Sequence, residues 1–322
     1  MRSEFDLIRR YFIHPAPHTR LSVGDDCALM APSPGLELAV STDVLVAERH
    51  FLGDTDPYRL GRKSAAVNLS DMAAMGAVPR WATLGITLSA QQGEPWIDAF
   101  ARGFHDELQS FGTDWVGGDT TSGPLAVIAV TILGEVPPGQ ALRRSGARPG
   151  DDVWVSGTPG DAALGLRHLK ESLPMAAEDR RHCLDRLEIP HPRVALGLAL
   201  RGIAHAAIDV SDGLLADLGH LLDASGVGAA LEFSRIPRSP AMLRQQGLPG
   251  WEALVLAGGD DYELCFTAPP QAAPDIQAAA ARAGVTVACI GTVTAGRERI
   301  LYDPAARPMD VAWLGFDHFR KA

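Results

Sequence analysis

The sequence predicts a two-domain α/β protein, and three observations support this fold class. A chain of 322 residues is longer than one typical domain, and its 46% hydrophobic residues are enough to build large cores. Strand-like and helix-like segments alternate along both halves. A segment rich in Pro, Gly and Arg, residues 137–152, interrupts this alternation. We therefore predict two domains, at residues 1–138 and 139–322.

The first half predicts a mixed sheet with helices on one face. Its strand candidates are residues 36–46, 81–88, 115–116 and 125–136. Its helix candidates are residues 56–76 and 95–111, and Gly112 ends the second. The resulting order, strand, helix, strand, helix, strand, strand, is typical of helices packed against one side of a sheet.

The second half predicts a separate α/β domain. Its strand candidates are residues 153–156, a segment ending at Val210, and residues 229–233, 262–267, 285–290 and 299–302. A helix is predicted from Asp161, and another carries leucines at positions 214, 215, 218, 221 and 222. For this leucine-rich helix, Ser211 is the expected N-cap and Gly226 the expected C-terminal stop.

Composition and charge exclude several classes of protein. The net charge of −10 argues against a general nucleic-acid binder. The longest apolar run, residues 125–133, is far shorter than the ~20 residues that cross a bilayer. The acidic N-terminal segment does not resemble a signal peptide, so we expect a cytoplasmic protein. The cysteines show no CxxC spacing and are predicted to be buried thiols; they are Cys27, Cys183, Cys265 and Cys289.

Asp71 is a carboxylate on a helix face that should be apolar. Leu60, Ser64, Val67 and Met75 share this face with Asp71 by their spacing. An inward carboxylate must find a cation or a donor, or become neutral, because an unpaired buried charge is costly. On this stretch alone, an Asp that caps a neighbouring turn is the preferred interpretation.

Five further acidic clusters change that preference, because each lies beside a Gly or at the edge of an apolar run. They are residues 23–26, 40–43, 116–121, 208–213 and 257–263. Carboxylate and hydroxyl oxygens suit Mg²⁺ or Mn²⁺ better than zinc. Strand alternation places Ser41 and Asp43 on one face and Thr42 on the other, although a strand end can bring all three together. The amides of a helix start near Asp212 can hold an anion beside a metal, with ordinary first-turn stabilisation as the alternative.

Two Gly-rich segments, residues 116–123 and 155–161, are predicted to be turns whose amides approach a polyphosphate. Neither is a Walker A loop, and the chain has no GxGxxG motif, kinase-type catalytic loop or nucleophile elbow. His50 either faces the same site as Asp43 or is a solvated loop residue. Several acids, Gly-rich turns and no nucleophile together favour metal-assisted phosphoryl transfer.

These motifs resemble those of the thiamine-monophosphate kinases, a family of the aminoimidazole-ribonucleotide synthetase superfamily. The matching segments follow the family order and extend nearly to the C-terminus. They are residues 24–28, 41–43 with 50–51, 67–77, 117–121, 144–147, 157–161, 209–214, 258–264 and 313–319. The segments at 41–51 and 258–264 are the more specific to the kinases.

The resemblance implies a two-domain aminoimidazole-ribonucleotide-synthetase-like fold and a homodimer joined through its N-terminal sheets. It also implies transfer of the γ-phosphoryl group of ATP to thiamine monophosphate, which gives thiamine diphosphate and ADP. The implied cofactor is Mg²⁺, as several ions, with Mn²⁺ as a possible substitute.

The same resemblance assigns roles to individual residues. The implied metal ligands are Asp26, Ser41, Thr42, Asp43, Asp71, Asp119, Asp209 and Asp212. The implied ATP contacts are Gly118, Asp119, Arg144 and Ser211. The implied substrate contacts are His50, Asp260 and Phe316. Family members commonly have Glu at the position of Asp260, so its reach to the substrate differs here.

Two alternatives remain open from the sequence. The first is another ATP-using member of the superfamily, either a selenophosphate synthetase or a hydrogenase-maturation enzyme. The former usually has an early reactive Cys or selenocysteine and the latter ends in a functional Cys, whereas this chain ends in Ala322 and has Cys27 as its one early thiol. The second is a non-catalytic protein that binds divalent metal ions, which leaves the ordered Gly-rich segments unexplained.

Overall fold

A four-stranded sheet organises the first half of the chain. The structure, a computed structural model, describes residues 4–313 and residue 315. It divides into two compact units: the chain up to Met72 together with Ala77–Gly139, and Ala73–Gly76 together with the chain from Gln140 onward. Among the described residues, no helix is both long and apolar enough to cross a membrane.

The first unit confirms the predicted strands and helices and adds short elements before them. Its strands are β1 Thr19–Leu21, β2 Leu29–Met30, β3 Glu37–Val46, β4 Val78–Leu88, β5 Asp114–Ser122 and β6 Val127–Val136. Its helices are α1 Glu4–Leu7, a π-helical turn Ile8–Phe12, α2 Pro57–Ala74 and α3 Glu94–Ser110. The main sheet has the order β3-β6-β4-β5, in which only the β4–β5 pair is parallel.

Helices α2 and α3 cover one face of this sheet. Asp71 of α2 bonds to β3, and Phe104 of α3 packs edge-on against Trp115 of β5, with ring centroids 4.8 Å apart. The side chains of β6 that point to this face, such as Ile128 and Ile132, are fully buried. On β3, the opposite face leaves Leu38, Val40 and Val44 about half exposed.

Two glycines allow α2 and α3 to approach closely. A Cβ atom on Gly61 would lie 2.1 Å from the carbonyl oxygen of Phe100, and one on Gly103 would lie 2.0 Å from that of Tyr58. Real Cβ contacts are never this short, so both positions require glycine. The sequence analysis did not identify this constraint.

The second unit is built on a six-stranded sheet with the order β12-β9-β11-β7-β10-β8. Its strands are β7 Asp152–Ser156, β8 Ala206–Val210, β9 Gly228–Glu232, β10 Glu263–Ala268, β11 Val287–Thr294 and β12 Arg299–Tyr302. Its helices are α4 Asp161–Glu171, α5 Ala177–Glu188, α6 Val194–Leu200, α7 Leu214–Ser225, α8 Pro240–Arg244, α9 Trp251–Ala257 and α10 Ala273–Ala283. Only the β12–β9 pair is parallel.

Most predicted elements of this unit are confirmed, and one capping prediction is wrong. The five leucines of α7 are fully buried, and Gly226 ends the helix in the left-handed conformation as predicted. The N-cap is Gly213 rather than Ser211, and it makes no side-chain cap. The strands and helices pack around a core that includes Val155, Ile208 and Leu218.

The prediction that all four cysteines are buried is also wrong. All four are free thiols, but only Cys183 and Cys265 are buried. Cys289 is partly exposed, and Cys27 is exposed in the loop that follows Asp25 and Asp26. Burial raises the pKa of the Cys183 thiol to about 12, so that thiol is unreactive at neutral pH.

We expect Gly103→Ala to destabilise the first unit by about 1–3 kcal/mol, because the new methyl group overlaps the backbone of α2. In an unobstructed helix interior the same change would stabilise by about 1 kcal/mol. Urea unfolding followed by tryptophan fluorescence measures the difference.

Gly93→Ala is the matched control, because its Cβ would meet only Pro95 at an ordinary 3.7 Å. The close-packing argument fails if Gly103→Ala unfolds at the wild-type urea concentration.

Candidate active site

In the first unit, Asp71 and Ser41 meet between helix α2 and strand β3. The Ser41 hydroxyl donates a hydrogen bond to Asp71, with 2.5 Å between Oγ and Oδ2. Asp71 is partly buried on α2, while its neighbours Leu69 and Met72 are almost completely buried. The inward carboxylate inferred from the sequence therefore lies beside the Ser41 hydroxyl, a second oxygen of the kind that binds Mg²⁺.

Asp43 shares the face of Ser41, whereas Thr42 points to the opposite side of β3. The backbone amide of Asp43 donates to Oδ1 of Asn68 on α2, at 3.2 Å. The Thr42 hydroxyl instead bonds the Thr131 hydroxyl of β6 at 2.8 Å. Strand alternation thus holds here, because all three residues lie inside a ten-residue strand rather than at its end.

Gly118 and Asp119 lie in strand β5, so the prediction of a Gly-rich turn at 116–123 is wrong. Gly118 is required by close packing, since a Cβ there would lie 1.8 Å from the carbonyl oxygen of Leu84. Asp119 pairs with Gly85 of β4 and is exposed. The parallel pairing with β4 extends this segment, which local sequence rules assign to a turn.

The sheet order separates Asp119 from Asp43 within one chain. Strands β3 and β5 lie at the two edges of the sheet, three inter-strand spacings apart, which is roughly 14 Å. Asp26 is exposed in the loop after β1, where its amide donates to Oδ1 of Asp25 at 2.9 Å.

His50 is held by the backbone of its own loop. The amide of Val46 donates to Nδ1 of His50 at 3.0 Å. Because Nδ1 is the acceptor, a neutral His50 ring carries its proton on Nε2, which becomes a hydrogen-bond donor. The loop is shaped by Glu48, which adopts a left-handed conformation with φ 63°.

A cleft of about 220 Å³ borders this loop and was not predicted from the sequence. Its apolar wall includes Phe51, Trp96 and Leu125, and Glu48 and Gln91 provide polar groups. These residues come from three separate segments of the chain, which explains why no local motif reveals the cleft.

In the second unit, the loop between β8 and α7 carries Asp209, Ser211 and Asp212. Asp209 is buried at the end of β8, and Ser211 and Asp212 are partly buried. The sequence left two interpretations open: that the amides at this helix start hold an anion, or that an acidic residue gives ordinary first-turn stabilisation. The structure shows that the amides of residues 211–213 donate to Asp217 of α7, at 2.9–3.1 Å.

Asp217 is a residue that the sequence analysis missed. Only 4% of it is exposed. Burial raises the pKa of Asp217 to about 7, the charges of Asp209 and Asp212 act in the same direction, and the amide hydrogen bonds oppose the shift. An acidic residue in the first turn of a helix was the available signal.

Asp260 is tied to the same loop through the backbone. Its amide donates to the carbonyl oxygen of Ser211 at 2.9 Å, and the amide of Tyr262 donates to that of Val210 at 2.8 Å. Asp260 and Tyr262 have positive φ angles of 68° and 51°. Such conformations cost roughly 1–3 kcal/mol each and concentrate at functional sites.

Glu263, three residues after Asp260, is a fully buried ion-pair centre. Its carboxylate accepts hydrogen bonds from Arg186, Arg193 and Ser156, at 2.5–2.7 Å. Burial acts to raise the pKa of Glu263, but the bond and charge of Arg193, the charge of Arg186 and the Ser156 bond hold it below its ordinary value. A Cβ on Gly157 would overlap this carboxylate, so the network also requires that glycine.

The predicted turn at residues 157–160 is confirmed, and Asp261 holds it. The amide of Gly160 donates to Oδ2 of Asp261 at 2.7 Å. Gly157 and Gly160 both have positive φ angles, as a tight turn requires. Burial raises the pKa of Asp261 well above its ordinary value.

The remaining site predictions lie at the edges of the second unit. The segment around exposed Arg144 is fixed by Ser225, which donates to the carbonyl oxygen of Arg144 at 3.0 Å and accepts from the amide of Gly146 at 3.1 Å. Phe316 lies outside the described residues. Gly315 packs against Asp212, because a Cβ there would lie 2.3 Å from the Asp212 carbonyl oxygen.

The donor chemistry of both units fits magnesium. Carboxylate and hydroxyl oxygens are the ligands that Mg²⁺ and Mn²⁺ prefer, and Ser41 with Asp71 shows two of them in contact. Within residues 4–313 and 315, no three His, Cys, Asp or Glu side chains gather around one point.

The fold defines the class of protein. Residues 24–136 match the model of the AIR synthase related protein N-terminal domain, and residues 148–303 match that of the C-terminal domain. The chain belongs to this class and, within it, to the thiamine-monophosphate kinase family. A thiamine-monophosphate kinase of Salmonella typhimurium is 46% identical over 323 residues, which is 98% of each chain.

Solved structures agree with the family. A thiamine-monophosphate kinase of Stenotrophomonas maltophilia K279a is 42% identical and superposes with a TM-score of 0.84 over 92% of this chain and 94% of that one. The structure described as AaThiL complexed with AMPPCP and TMP is 28% identical, with a TM-score of 0.78 over 99% of each chain.

Proposed function

We propose that this protein transfers the γ-phosphoryl group of ATP to thiamine monophosphate, forming thiamine diphosphate and ADP. The observation that carries the proposal is full-length similarity to thiamine-monophosphate kinases, one of which has been solved with an ATP analogue and TMP. The family-specific segment 41–51 contains Ser41, Asp43 and His50 of the first unit, and the segment 258–264 contains Asp260 of the second unit.

The chemistry requires positioning and charge neutralisation rather than a base. A phosphate oxygen of thiamine monophosphate forms a bond to the γ-phosphorus, while the bond from that phosphorus to the β–γ bridging oxygen breaks. The electron pair of the broken bond stays on ADP. Because the attacking oxygen is already an anion, no side chain has to remove a proton, in agreement with the absence of a nucleophile motif.

The candidate metal ligands are those named from the sequence. In the first unit they are Asp26, Ser41, Thr42, Asp43, Asp71 and Asp119, and in the second unit Asp209 and Asp212. Magnesium, when bound, neutralises the polyphosphate charge. We propose Gly118, Asp119, Arg144 and Ser211 as ATP contacts and His50, Asp260 and Phe316 as substrate contacts. The Val46 amide fixes the neutral His50 ring in the tautomer that carries its proton on Nε2.

The alternatives are not favoured. A selenophosphate synthetase or a hydrogenase-maturation enzyme shares the superfamily, but relatives that are 46% identical along the chain are thiamine-monophosphate kinases. A non-catalytic metal-binding protein would not need the strained backbone at Asp260 and Tyr262. Because all four cysteines are free, we place the protein in the cytoplasm, where thiols stay reduced.

The direct test follows ATP, Mg²⁺ and thiamine monophosphate by chromatography. We expect ADP and thiamine diphosphate in equal amounts, and no ADP above background when thiamine monophosphate is omitted. Mn²⁺ should replace Mg²⁺ at least in part. ADP release without thiamine diphosphate would refute the assigned acceptor, and no turnover with either metal would refute the kinase assignment.

Asp71→Asn should reduce kcat by at least about 100-fold, which corresponds to about 2.7 kcal/mol, because a neutral amide binds a divalent ion poorly. The fold should persist, since the amide can still accept the Ser41 hydrogen bond. Steady-state kinetics and the thermal midpoint check the two parts. Asp98→Asn, at an exposed position of α3, is the control, and near-normal turnover of Asp71→Asn would contradict the metal role.

We propose that the chain forms a homodimer through the open face of the first sheet. Leu38, Val40 and Val44 form an apolar row on β3, with 45%, 61% and 47% of their surfaces exposed. Exposed apolar side chains grouped on one sheet face are typical of an interface, because water contact with them is unfavourable. The self-complementary pairing of two copies is the common form of such an interface.

Val40→Lys should convert the dimer to a monomer at micromolar concentration, because the new charge would have to leave water at the interface. Light scattering coupled to gel filtration measures the mass. Leu169→Lys is the matched control, since Leu169 is a similarly exposed leucine on α4 of the second unit. An unchanged mass of Val40→Lys would exclude this face.

A further inference from the structure

The loop that carries Asp209, Ser211 and Asp212 makes hydrogen bonds to other segments of the second unit through both its amides and its carbonyl oxygens. Three consecutive amides, those of Ser211, Asp212 and Gly213, donate to the same oxygen, Oδ2 of Asp217, at 3.0, 2.9 and 3.1 Å. A helix start normally leaves its first amides for solvent or an anionic ligand. Here the chain's own carboxylate occupies three amides of the segment that leads into α7.

The carbonyl side of the loop is fixed as well. Ser211 and Val210 accept hydrogen bonds from the amides of Asp260 and Tyr262. Gly213 and Gly259 leave no room for a Cβ atom, because one would lie 2.7 Å from the carbonyl carbon of Ala257 and the other 2.6 Å from the Ser211 oxygen. The loop can therefore adopt few other backbone conformations while Asp217 accepts its amides.

We propose that Asp217 is a positioning residue: it fixes the 211–213 backbone so that the carboxylates of Asp209 and Asp212 are presented to a metal-bound polyphosphate. This inference rests on the proposed function. Oδ2 of Asp217 is directed into the loop, where three backbone amides occupy it, so this oxygen holds the backbone rather than an ion. Partners that orient metal ligands typically change metal affinity or activity by about 10–100-fold when they are removed.

Charge favours the same assignment over direct anion binding by the loop. Asp209, Asp212 and Asp217 place three carboxylates within a nine-residue segment, and the three amides that could offset a phosphate already face Asp217. An anion arriving without a cation would meet the carboxylates of Asp209 and Asp212. The loop is consequently better suited to a cation.

The test compares Asp217→Asn and Asp217→Ala with a matched buried carboxylate, Asp151. Asp151 is 3% exposed, lies in the same unit, and accepts hydrogen bonds from the amide of Arg148 at 2.8 Å and from His205 at 2.9 Å. It belongs to none of the candidate sites. Asp151→Asn therefore measures the effect of neutralising a buried carboxylate that holds a different loop. It leaves the 209–213 loop unchanged.

The first readout is Mn²⁺ binding by the full chain without ATP or thiamine monophosphate, measured by titration calorimetry. We expect the Asp217 variants to bind the ions at this loop about 10–100-fold more weakly, and Asp151→Asn to bind as the wild type does. The second readout is hydrogen exchange, in which the amides of residues 211–213 should exchange faster in the Asp217 variants only.

The third readout separates metal affinity from turnover. The Mg²⁺ concentration for half-maximal velocity should rise about 10–100-fold in Asp217→Asn, with part of kcat recovered at saturating Mg²⁺. If Asp217→Ala fails to fold, Asp217→Asn carries the test, since it keeps the size of the side chain. Mn²⁺ affinity and loop exchange equal to those of the wild type and Asp151→Asn would overturn the proposal.

Failure of the proposed function gives a different pattern. If the wild type made no thiamine diphosphate, the Mn²⁺ and exchange measurements would still show whether Asp217 organises a cation-binding loop.

Discussion

A carboxylate that leaves water must gain hydrogen-bond donors or positive charge, and both units depend on meeting this requirement. In the first unit the Ser41 hydroxyl donates to Asp71, which joins β3 to α2. In the second unit three backbone amides donate to Asp217, and two arginines and Ser156 donate to Glu263. Each interaction links chain segments that must come together for the candidate ligands to be placed. These acidic residues thus also hold the surrounding segments in place, through the hydrogen bonds that they accept.

The secondary structure was largely predictable because it depends on local patterns. The strand-like segments 36–46 and 125–136 identified β3 and β6, and the leucine spacing identified α7 with its stop at Gly226. The start of α7 was not predictable in the same way, since Ser211 and Asp217 both lie within reach of the free amides. The fold buries Asp217 and so decides between them. Both residues are visible in the sequence as possible acceptors for the amides at the start of α7, but the sequence alone does not show which one is used.

Long-range pairing explains the other differences. The Gly-Gly-Asp segment around Gly118 has turn-forming composition, but pairing with β4, about 30 residues away, extends it into a strand. The glycines at positions 61 and 103 look like helix-weakening residues until the crossing of α2 and α3 is known. For the site, residue types and faces were predictable, as Ser41, Thr42 and Asp43 show. Their distances from Asp119 depend on strand order, which no motif encodes.

Charge balance connects this arrangement to the proposed reaction. Six of the eight candidate ligands are carboxylates, and among the candidate contacts only Arg144 carries a permanent positive charge. ATP and thiamine monophosphate would add further negative charge to the same region, and like charges at such distances repel strongly where water is excluded. Under the proposed function, bound cations would neutralise this charge. In both units, hydrogen bonds hold carboxylates in fixed positions, as the Ser41–Asp71 contact and the Asp217 loop show.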